Sequence, residues 1–306
     1  MTTLNAPAPS RLGSVLRSLL FVPAINDRYI DKAHIRGADG IVLDLEDSIA
    51  DSEKAAARRK APAGLERLAA NGVRNLLVRI NSSPRLTVHD LEAVVVPALA
   101  GVILPKCRSA DHVRAISEIM LSLELERGFA PGSIALGVRV ETADAFFHMH
   151  EIAAADPRVA FFGLGGEDFS LAIGVEPSVD TLLYPKQQAV IAARAAGVSP
   201  IGLISSGADF TNLDAIRDVV RQSRRFGFQG ASCIHPAIVP ILNEEFSPSP
   251  ADVERAERLV QAFRDGIEAG TASVSFEGKM VDYPVAFRAE RLLADHAAIA
   301  ALAKTA

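Results

Sequence analysis

A short apolar run followed by a helical stretch recurs along most of this chain, and this alternation is the feature that most constrains its fold. The runs are continuous in apolar residues, which is typical of strands buried on both faces in a parallel sheet. The first run is Leu19–Val22 and the last is Gln229–Ile234. Eight strand–helix units in about 225 residues predict an α/β fold of the (β/α)8, or TIM, barrel type. An open doubly wound sheet is the alternative, and no G-x-G-x-x-G motif follows the first run to support it.

The composition changes after the eighth unit, and this change divides the predicted domains. Residues 246–250 read Phe-Ser-Pro-Ser-Pro, a connector of the kind that separates modules. We expect a disordered Pro/Ala/Ser leader over residues 1–16, a catalytic barrel over residues 17–246 and a helical and β C-terminal extension over residues 247–306. The extension is too short to form a substantial core by itself. It is therefore predicted to pack on the barrel or on a neighbouring subunit.

The charge and cysteine content exclude several classes of function. The chain has 32 basic and 37 acidic side chains and a formal net charge of −5, which argues against a nucleic-acid-binding protein. It contains no run of about 18 apolar residues, so no membrane span is expected. Its two cysteines, Cys107 and Cys233, cannot form a disulfide framework and are predicted to be buried thiols. Together with the lack of a secretory signal, these features predict a cytoplasmic protein.

Charged residues stand at the ends of several apolar runs. In a barrel of this type the catalytic residues lie where strands end and loops begin. The charged residues at these ends are Asp44, Glu46, Asp47, Arg79, Lys106, Arg139, Glu141, Glu167 and Asp168. Converging carboxylates repel one another unless a cation lies among them, and oxygen ligands favour Mg2+, with Mn2+ as the alternative. A pre-oriented cation can stabilise a developing oxyanion, which is the role predicted for Arg79.

Each of these residues also has a purely structural interpretation. A carboxylate at a strand end is often the N-cap of the next helix, and this applies to Asp47 and Asp168. Arg79 by itself can form a structural ion pair with a neighbouring acid. Lys106 is not predicted to form a Schiff base, and we expect it to pair with the acids of residues 44–47. The catalytic interpretation depends on the joint pattern at five successive strand ends.

Eight segments of the chain carry a resemblance to a known family. They lie between Arg17 and about Leu293 and keep the family's order and spacing. The segments are Arg17–Pro23 (RSLLFVP), Ile41–Ile49 (IVLDLEDSI), Val78–Asn81 (VRIN), Ile103–Lys106 (ILPK), Val140–Thr142 (VET), Gly165–Ser170 (GGEDFS), Cys233–Pro236 (CIHP) and Gly278–Val285 (GKMVDYPV). On these segments the chain resembles the citrate lyase β-subunit-like family of the HpcH/HpaI aldolase superfamily. That family includes malyl-CoA, β-methylmalyl-CoA and citramalyl-CoA lyases.

The resemblance implies a role for each matching residue of the barrel. It implies that Glu141 and Asp168 hold Mg2+ together with water and substrate oxygens. It implies that Arg79 binds the keto-acid or thioester oxygen and stabilises an enolate, with Glu46 and Asp47 in the catalytic network around it. The residues implied to bind the substrate or CoA are Phe21, Lys32, Arg79, Glu167, Ile234 and His235.

The resemblance also implies an assembly and a reaction. The assembly is a homotrimer or hexamer in which the extension acts as a lid, and its Asp282 reaches into a neighbouring subunit's site as an acid/base. The reaction is Mg2+-dependent cleavage of a β-hydroxyacyl-CoA, of the citramalyl-CoA or malyl-CoA type, to acetyl-CoA or propionyl-CoA and a 2-oxo acid through an enolate. The alternatives are a citryl-thioester lyase subunit of a citrate lyase complex, a malyl-CoA thioesterase on the same scaffold and a non-catalytic thioester-binding protein.

Three positions depart from the family's pattern and bear on the choice of substrate. Ala24 stands where many relatives have Gly, and Asn26 stands where an Arg is often found. The loop over residues 205–210 lacks the Asp-Gly-Pro start that is common in relatives.

Overall fold

A computed structural model describes residues 10–205 and 212–305 of the protein. The chain divides into two compact units, Met1–Phe246 and Ser247–Ala306. The altered loop over residues 205–210 lies outside the described residues from position 206 onward. Among the described residues, no helix is long and apolar enough to cross a membrane.

The first unit is built on a sheet of parallel strands. The strands are β1 (Ser18–Pro23), β2 (Gly40–Asp44), β3 (Leu76–Arg79), β4 (Gly101–Leu104), β5 (Ala135–Val140), β6 (Val159–Leu164), β7 (Ser199–Pro200) and β8 (Ala231–Cys233). Their spatial order is β7-β6-β5-β4-β3-β2-β1-β8, so sequential strands are neighbours. A parallel bridge between Ile201 and Gly230 joins the two outer strands, and Gly202 N donates to Gly230 O at 2.8 Å. The sheet therefore curls into the predicted barrel, and the open-sheet alternative is wrong.

Helices follow the strands on the outside of the barrel. They are α1 (Asp27–Ala33), α2 (Lys54–Ala70), α3 (Pro84–Val94), α4 (Ala110–Glu126), α5 (Ala143–Phe146), α6 (Met149–Ala153), α7 (Gly166–Ile173), α8 (Val179–Ala195), α9 (Leu213–Arg225) and α10 (Val239–Glu245). Side-chain caps begin several of them, because the first N–H groups of a helix have no partner within it. Asn26, one of the departures from the family's pattern, is such a cap, since its side chain accepts a hydrogen bond from Tyr29 N.

Two elements differ from their predicted form. The helix predicted from Ala143 to Ala154 is split into α5 and α6, because Phe147 N and His148 N bond to carbonyls three residues back and tighten the turn. The seventh strand, predicted over Ile201–Ile204, instead covers Ser199–Pro200 and the Ile201 bridge. Beyond the bridge Ile204 N bonds to the Ser223 side chain in α9, so the chain has already left the sheet.

Alternate residues of the strands fill the inside of the barrel. Leu19, Val42, Leu77, Ile103 and Phe161 form one apolar cluster, and the intervening strand residues pack outward against the helices. Leu12 and Leu16 belong to the inner cluster and are buried. The prediction of a disordered leader through residue 16 is therefore wrong from residue 10 onward, because apolar leader residues pack against the barrel interior.

The second unit consists of two helices and a hairpin. Its elements are α11 (Pro250–Glu268), β9 (Val274–Phe276), β10 (Lys279–Val281) and α12 (Tyr283–Thr305). Glu277 and Gly278 turn the hairpin with φ values of 50° and 73°, the left-handed conformations that a tight two-residue hairpin turn needs. Val260, Phe263 and Val281 lie in a small apolar cluster of its own. The helical and β composition of the extension agrees with the prediction, and its action as a lid stays a prediction.

Candidate active site

Arg79 is held by three carboxylates at the C-terminal ends of β2 and β3. Asp44 and Arg79 end neighbouring strands and are register partners. Arg79 Nε and Nη2 each donate to one oxygen of Asp44 at 2.7 Å, which makes a bidentate pair. Arg79 Nη1 contacts Glu46 Oε2 at 2.9 Å and Asp47 Oδ2 at 3.2 Å. The guanidinium also lies over the Phe21 ring, 5.0 Å from its centroid, within reach of a cation–π interaction.

The electrostatics of this cluster fix the guanidinium as a cation. Burial by itself raises the pKa of Asp44, but the hydrogen bonds and charge of Arg79 outweigh it and hold that pKa below its usual range. Burial lowers the pKa of Arg79, and the hydrogen bonds and charge of Asp44 more than reverse this, with the charges of Glu46 and Asp47 adding to the rise. Arg79 thus stays charged, and its orientation is set before any ligand arrives.

Lys106 connects this cluster to the next carboxylate around the barrel. Its Nζ lies 2.7 Å from Glu46 Oε1, 3.0 Å from Asp47 Oδ1 and 3.9 Å from Asp168 Oδ1. Its backbone has a φ of 47°, a left-handed conformation that non-glycine residues seldom adopt. The predicted ion pair of Lys106 with the acids after β2 is confirmed.

Glu141 is a buried carboxylate at the end of β5. Its Oε2 atom has no hydrogen-bond partner. Burial raises the pKa of Glu141 to about 7, and the nearby charges of Asp168 and Glu46 add to the rise, which Arg139 opposes. The backbone of Gly165 lies directly against it, since a Cβ on Gly165 would come within 2.6 Å of Glu141 Cγ. A glycine is therefore required for this close approach.

The residues present fit a divalent cation beside Glu141 and Asp168. Two carboxylates repel each other, and an unpartnered carboxylate oxygen seeks a ligand, so a cation would relieve both conditions. Among the described residues, no group of three or more His, Cys, Asp or Glu side chains is arranged to hold a metal ion. A pair of carboxylates with waters is the arrangement typical of Mg2+, which is usually held by one or two protein carboxylates.

A pocket of about 570 Å³ opens beside Arg79. Six of the predicted site residues line it, namely Phe21, Lys32, Asp47, Arg79, Ile234 and His235. Arg28 and Arg36 line it as well, and with Lys32 they form a row of exposed cations spaced four residues apart along one side of α1 and the turn after it. The pocket is thus lined both by the guanidinium that the carboxylates hold and by a row of exposed cations.

The HpcH/HpaI aldolase/citrate lyase family profile matches residues 17–236, which include every strand of this barrel. The chain belongs to this family. It is 33% identical over 293 residues to the citrate lyase subunit beta of Escherichia coli (strain K12), covering 95% of this chain and 96% of the relative. It is 32% identical over 292 residues to the mitochondrial citramalyl-CoA lyase of Rattus norvegicus, covering 90% and 85%.

A solved structure resembles most of the chain. The crystal structure of the protein CitE from Mycobacterium tuberculosis, in complex with magnesium, acetoacetate and coenzyme A, superposes with a TM-score of 0.72 and 27% identity. The match covers 92% of this chain and 97% of the other. Both relatives in the sequence comparison are named as lyases, and this member of the HpcH/HpaI aldolase/citrate lyase family is accordingly a carbon–carbon lyase.

Two further predicted residues of this family member are Glu167 and Asp282. Glu167 lines a separate cavity of about 70 Å³ together with Arg139 and Lys186. Asp282 lies in the second unit at the start of α12, where its side chain accepts a hydrogen bond from Val285 N at 3.4 Å. A helix N-cap is therefore its visible role, and its predicted part in catalysis stays a prediction.

Sequence reasoning did not assign a functional role to Asp44, Arg139 or Lys186. Asp44 stood among the strand-end acids, and its position opposite Arg79 at the ends of consecutive runs was the signal that could have paired them. Lys186 gave no signal, because a lysine within a helix is ordinarily exposed. In the structure it is buried, and its Nζ donates to Leu164 O at 2.6 Å. Burial and, to a smaller extent, the charge of Arg139 lower the pKa of Lys186 to about 7, against the opposing charges of Glu141 and Glu167.

Proposed function

We propose that this protein is a Mg2+-dependent lyase that cleaves a β-hydroxyacyl-CoA to acetyl-CoA or propionyl-CoA and a 2-oxo acid through an enolate. The observation that carries the proposal is the juxtaposition of a pre-oriented guanidinium with two carboxylates suited to Mg2+. Lys106 links the two parts, since it contacts the acids around Arg79 and lies 3.9 Å from Asp168 Oδ1. Such a site can polarise a substrate hydroxyl at one point and stabilise an enolate at another.

Glu141 and Asp168 are the residues that would hold the ion. A bound Mg2+ would supply Lewis-acid polarisation of the substrate's carboxylate and hydroxyl oxygens. The unpartnered Oε2 of Glu141 supports this assignment, as does the glycine contact that holds its side chain in place. The magnesium in the structure of the Mycobacterium tuberculosis protein supports it as well. Mn2+ is the alternative ion for the same oxygen ligands.

Arg79 is the residue that would stabilise the enolate oxygen. An arginine side chain carries five N–H donors in a fixed planar arrangement. The contacts to Asp44, Glu46 and Asp47 engage its donors from one side, and the guanidinium lines the pocket on the other. The three carboxylates thus orient the guanidinium, and one N–H group of Nη2 remains to donate a hydrogen bond to the substrate oxygen. Phe21 packs on the guanidinium and excludes water from that face.

The remaining proton transfer is assigned to Asp282 of a neighbouring subunit. The enolate left by cleavage needs a proton on carbon, and Asp44 and Asp47 are poorly suited to supply one, because hydrogen bonds and nearby cations hold their pKa values below the usual range. Asp282, at the end of the hairpin in the extension, would deliver that proton in a homotrimer or hexamer. Co-folding Asp282→Ala subunits with Arg79→Ala subunits tests this, because shared sites restore part of the turnover. Turnover no higher than in either variant alone would remove Asp282 from this role.

The row of cations along the Arg79 pocket fits the phosphates of CoA. Arg28, Lys32 and Arg36 are exposed, and among the described residues no ion pair with a carboxylate occupies them. Phosphate groups favour such clusters of Arg and Lys. The coenzyme A in the Mycobacterium tuberculosis structure supports a thioester ligand. Lys32, predicted to lie on the CoA side, takes the middle position of this row.

The decisive experiment identifies the products of cleavage. The purified protein is incubated with citramalyl-CoA, malyl-CoA and β-methylmalyl-CoA, with Mg2+ and with excess chelator, and the products are separated by mass. We expect a 2-oxo acid or glyoxylate with the matching acyl-CoA from at least one substrate, and only with metal. Release of free CoA and the intact hydroxy acid would instead establish a thioesterase. No product from any thioester, including a citryl thioester, would overturn the proposal.

A further inference from the structure

The backbone carbonyl of Leu164, at the C-terminal end of β6, faces the side of the sheet on which β7 is very short. Alternate carbonyls of a strand face the same neighbouring strand. Phe162 O accepts a hydrogen bond from Ile201 N at 2.9 Å, so Leu164 O faces the same way. A longer seventh strand would offer Leu203 N to this carbonyl, but by Ile204 the chain has left the sheet and bonds to α9. The ladder of β6 and β7 therefore ends before Leu164 O.

Lys186 of α8 supplies the donor that β7 does not. Its Nζ donates to Leu164 O at 2.6 Å, and the packing of α8 on β6 brings it to this strand end. The side chain is 3% exposed, and within the described part of the chain its Nζ has no carboxylate oxygen within the 4.0 Å of an ion pair. Burial of a lysine is costly, and no ion pair offsets the cost here. The hydrogen bond to Leu164 O is therefore the visible reason for a lysine at this position.

The turn that follows Leu164 contacts one carboxylate of the proposed metal site and leads into the helix that carries the other. Gly165 N donates to a carbonyl of β5 at 2.9 Å, and a Cβ on Gly165 would come within 2.6 Å of Glu141 Cγ. The first turn of α7 carries Asp168. The position of this turn relative to β5 therefore sets how the carboxylates of Glu141 and Asp168 lie relative to each other.

Close packing does not surround this turn on every side. Gly165 and Gly166 are consecutive glycines, and glycine has the widest choice of backbone conformations. Gly166 and Glu167 line the cavity of about 70 Å³, so the turn borders open space there. Lys186 lines the same cavity. Its hydrogen bond thus holds the end of β6 on a side where neighbouring side chains leave a gap.

We propose that Lys186 is a positioning residue of the lyase, which holds the turn after β6 so that Glu141 and Asp168 face one metal ion. The inference rests on the proposed function, because it concerns the metal site of that reaction. Lys186 acts through the Leu164 carbonyl and the turn, and it needs no contact with the metal or the substrate. This role differs from that of a nearby positive charge, which would only repel the metal ion.

The test measures Mg2+ affinity by calorimetry for the wild type, Lys186→Met and Lys186→Arg. Lys186→Met removes the donor to Leu164 O, so we expect Mg2+ affinity to fall about tenfold, as it does when a metal site loses a supporting hydrogen bond. Lys186→Arg keeps a long side chain with N–H donors and should retain part of the affinity. An effect of charge alone has the opposite sign, because removal of a cation near the site strengthens Mg2+ binding. Unchanged or tighter binding in Lys186→Met therefore overturns the proposal.

Arg194→Met is the matched control on the same helix. Arg194 Nη2 also donates to a backbone carbonyl, that of Gly227, at 3.0 Å. Its replacement removes a comparable bond away from the turn after β6 and should change Mg2+ affinity by less than about threefold. Binding of CoA, which is proposed to use the Arg79 pocket, should stay within about threefold of the wild type in every variant. An equal fall in Mg2+ and CoA affinity in Lys186→Met would show a general loss of structure and would overturn the positioning role.

Hydrogen exchange of the metal-free protein tests the same role without a ligand. The amides of residues 165–169 should exchange faster in Lys186→Met than in the wild type, and Arg194→Met should leave them unchanged. Wild-type exchange rates in Lys186→Met would overturn the proposal.

The two measurements also separate this inference from the proposed function. Thioester cleavage by a protein whose Mg2+ affinity does not depend on Lys186 removes the positioning role and leaves the proposed function intact. A wild type that binds no Mg2+ removes the metal from the proposed function, whereas faster exchange in Lys186→Met alone still supports Lys186 as the residue that holds the turn.

Discussion

The two sides of the barrel mouth differ in whether their buried charged side chains form ion pairs. On the β2–β4 side, Arg79 and Lys106 contact the carboxylates of Asp44, Glu46 and Asp47 directly, at 2.7–3.2 Å. On the β5–β6 side, Glu141 has an unpartnered oxygen, and Arg139 and Lys186 have no carboxylate in contact among the described residues. The charges of the first region are therefore paired directly, whereas these three groups of the second region are not.

This difference suggests that the first side orients a catalytic side chain and that the second side binds the metal ion and the substrate. A closed network of ion pairs fixes a catalytic group in place, because each member is satisfied and has no other conformation to prefer. A set of buried charges without direct partners stores unfavourable energy that a metal ion and an anionic substrate release on binding. Substitutions on the first side should therefore destabilise the fold, whereas substitutions on the second side should mainly affect ligands.

Glu141→Gln provides the largest test of this difference. Mg2+ binding measured by calorimetry should be lost, and turnover should fall by at least about a thousandfold. The metal-free protein should melt at the same or a higher temperature at pH 8, because the neutral amide removes a carboxylate whose burial raises its pKa to about 7. Asp168→Asn is the control. It should also lose Mg2+ binding, but the Asp168 side chain is 41% exposed, so this substitution should not raise the melting temperature. A large fall in melting temperature for Glu141→Gln would show that the second side is structural.

Arg79→Leu tests the first side, with Arg58→Leu as a matched control. The two arginines are 16% and 14% exposed and pair with Asp44 and Asp90 at 2.7 and 2.6 Å. Each substitution leaves a buried carboxylate unpaired and should lower the free energy of unfolding by about 3 kcal/mol. Only Arg79→Leu should also reduce turnover, by about a hundredfold or more. Equal turnover in the two variants would remove Arg79 from the reaction.

The stability difference between wild type and Arg79→Leu should depend on pH. Arg79 holds the pKa of Asp44 below the usual 3.8, so the pair stabilises the fold above that value. The contribution is lost as the pH falls through the lowered pKa, because the carboxyl group then takes up a proton. Urea unfolding at pH 7 and at successively lower pH should therefore show the two proteins converging below about pH 4. A constant difference down to pH 2 would contradict the ion pair as its source.

Gly165→Ala perturbs the second side by steric contact alone. The added Cβ would lie 2.6 Å from Glu141 Cγ, so the carboxylate must move. Mg2+ affinity should fall by about tenfold, and overpacking should cost about 1–3 kcal/mol of stability. Gly64→Ala, inside α2 and 3.1 Å from the flexible end of Leu43, should leave Mg2+ affinity unchanged. Unchanged Mg2+ affinity in Gly165→Ala would argue against Glu141 as a ligand in this position.

Lys106→Met should have the smallest effect, because its contacts are partly exposed to solvent. Removing a cation 3.9 Å from Asp168 Oδ1 should strengthen Mg2+ binding by about threefold at low salt, and the gain should shrink as salt is added. Turnover should fall only a few-fold as Glu46 and Asp47 lose a shared partner. Calorimetry across a salt series measures the first effect. Weaker Mg2+ binding in the variant would mean that Lys106 orders the metal site rather than competing with it.

Much of the barrel and of its mouth could be predicted from local pattern. Continuous apolar runs predict buried parallel strands, and the barrel follows from their number and from the helices between them. The positions of Glu46, Asp47, Arg79 and Lys106 directly after such runs predict that they meet at one edge, because parallel strands end on the same side. Their contacts bear this out. The burial of Cys107 and Cys233 follows in the same way.

Other features depend on packing that the local pattern does not contain. Leu12 and Leu16 follow a Pro/Ala-rich stretch, and they are buried because they pack against the apolar cluster inside the barrel. Lys186 lies on a helix whose polar residues are ordinarily solvated, and its burial follows from the contact of α8 with β6.

The sequence by itself determined the order of the strands and which charged groups stand at their ends, because both follow from the spacing of neighbouring residues along the chain. Only the tertiary structure decided which of those charges are paired. Pairing depends on distances of a few ångströms between residues far apart in sequence, such as Lys106 and Glu46, and a bond that short forms only after the barrel has closed. The same closure leaves Glu141, Arg139 and Lys186 without a direct counter-charge among the described residues.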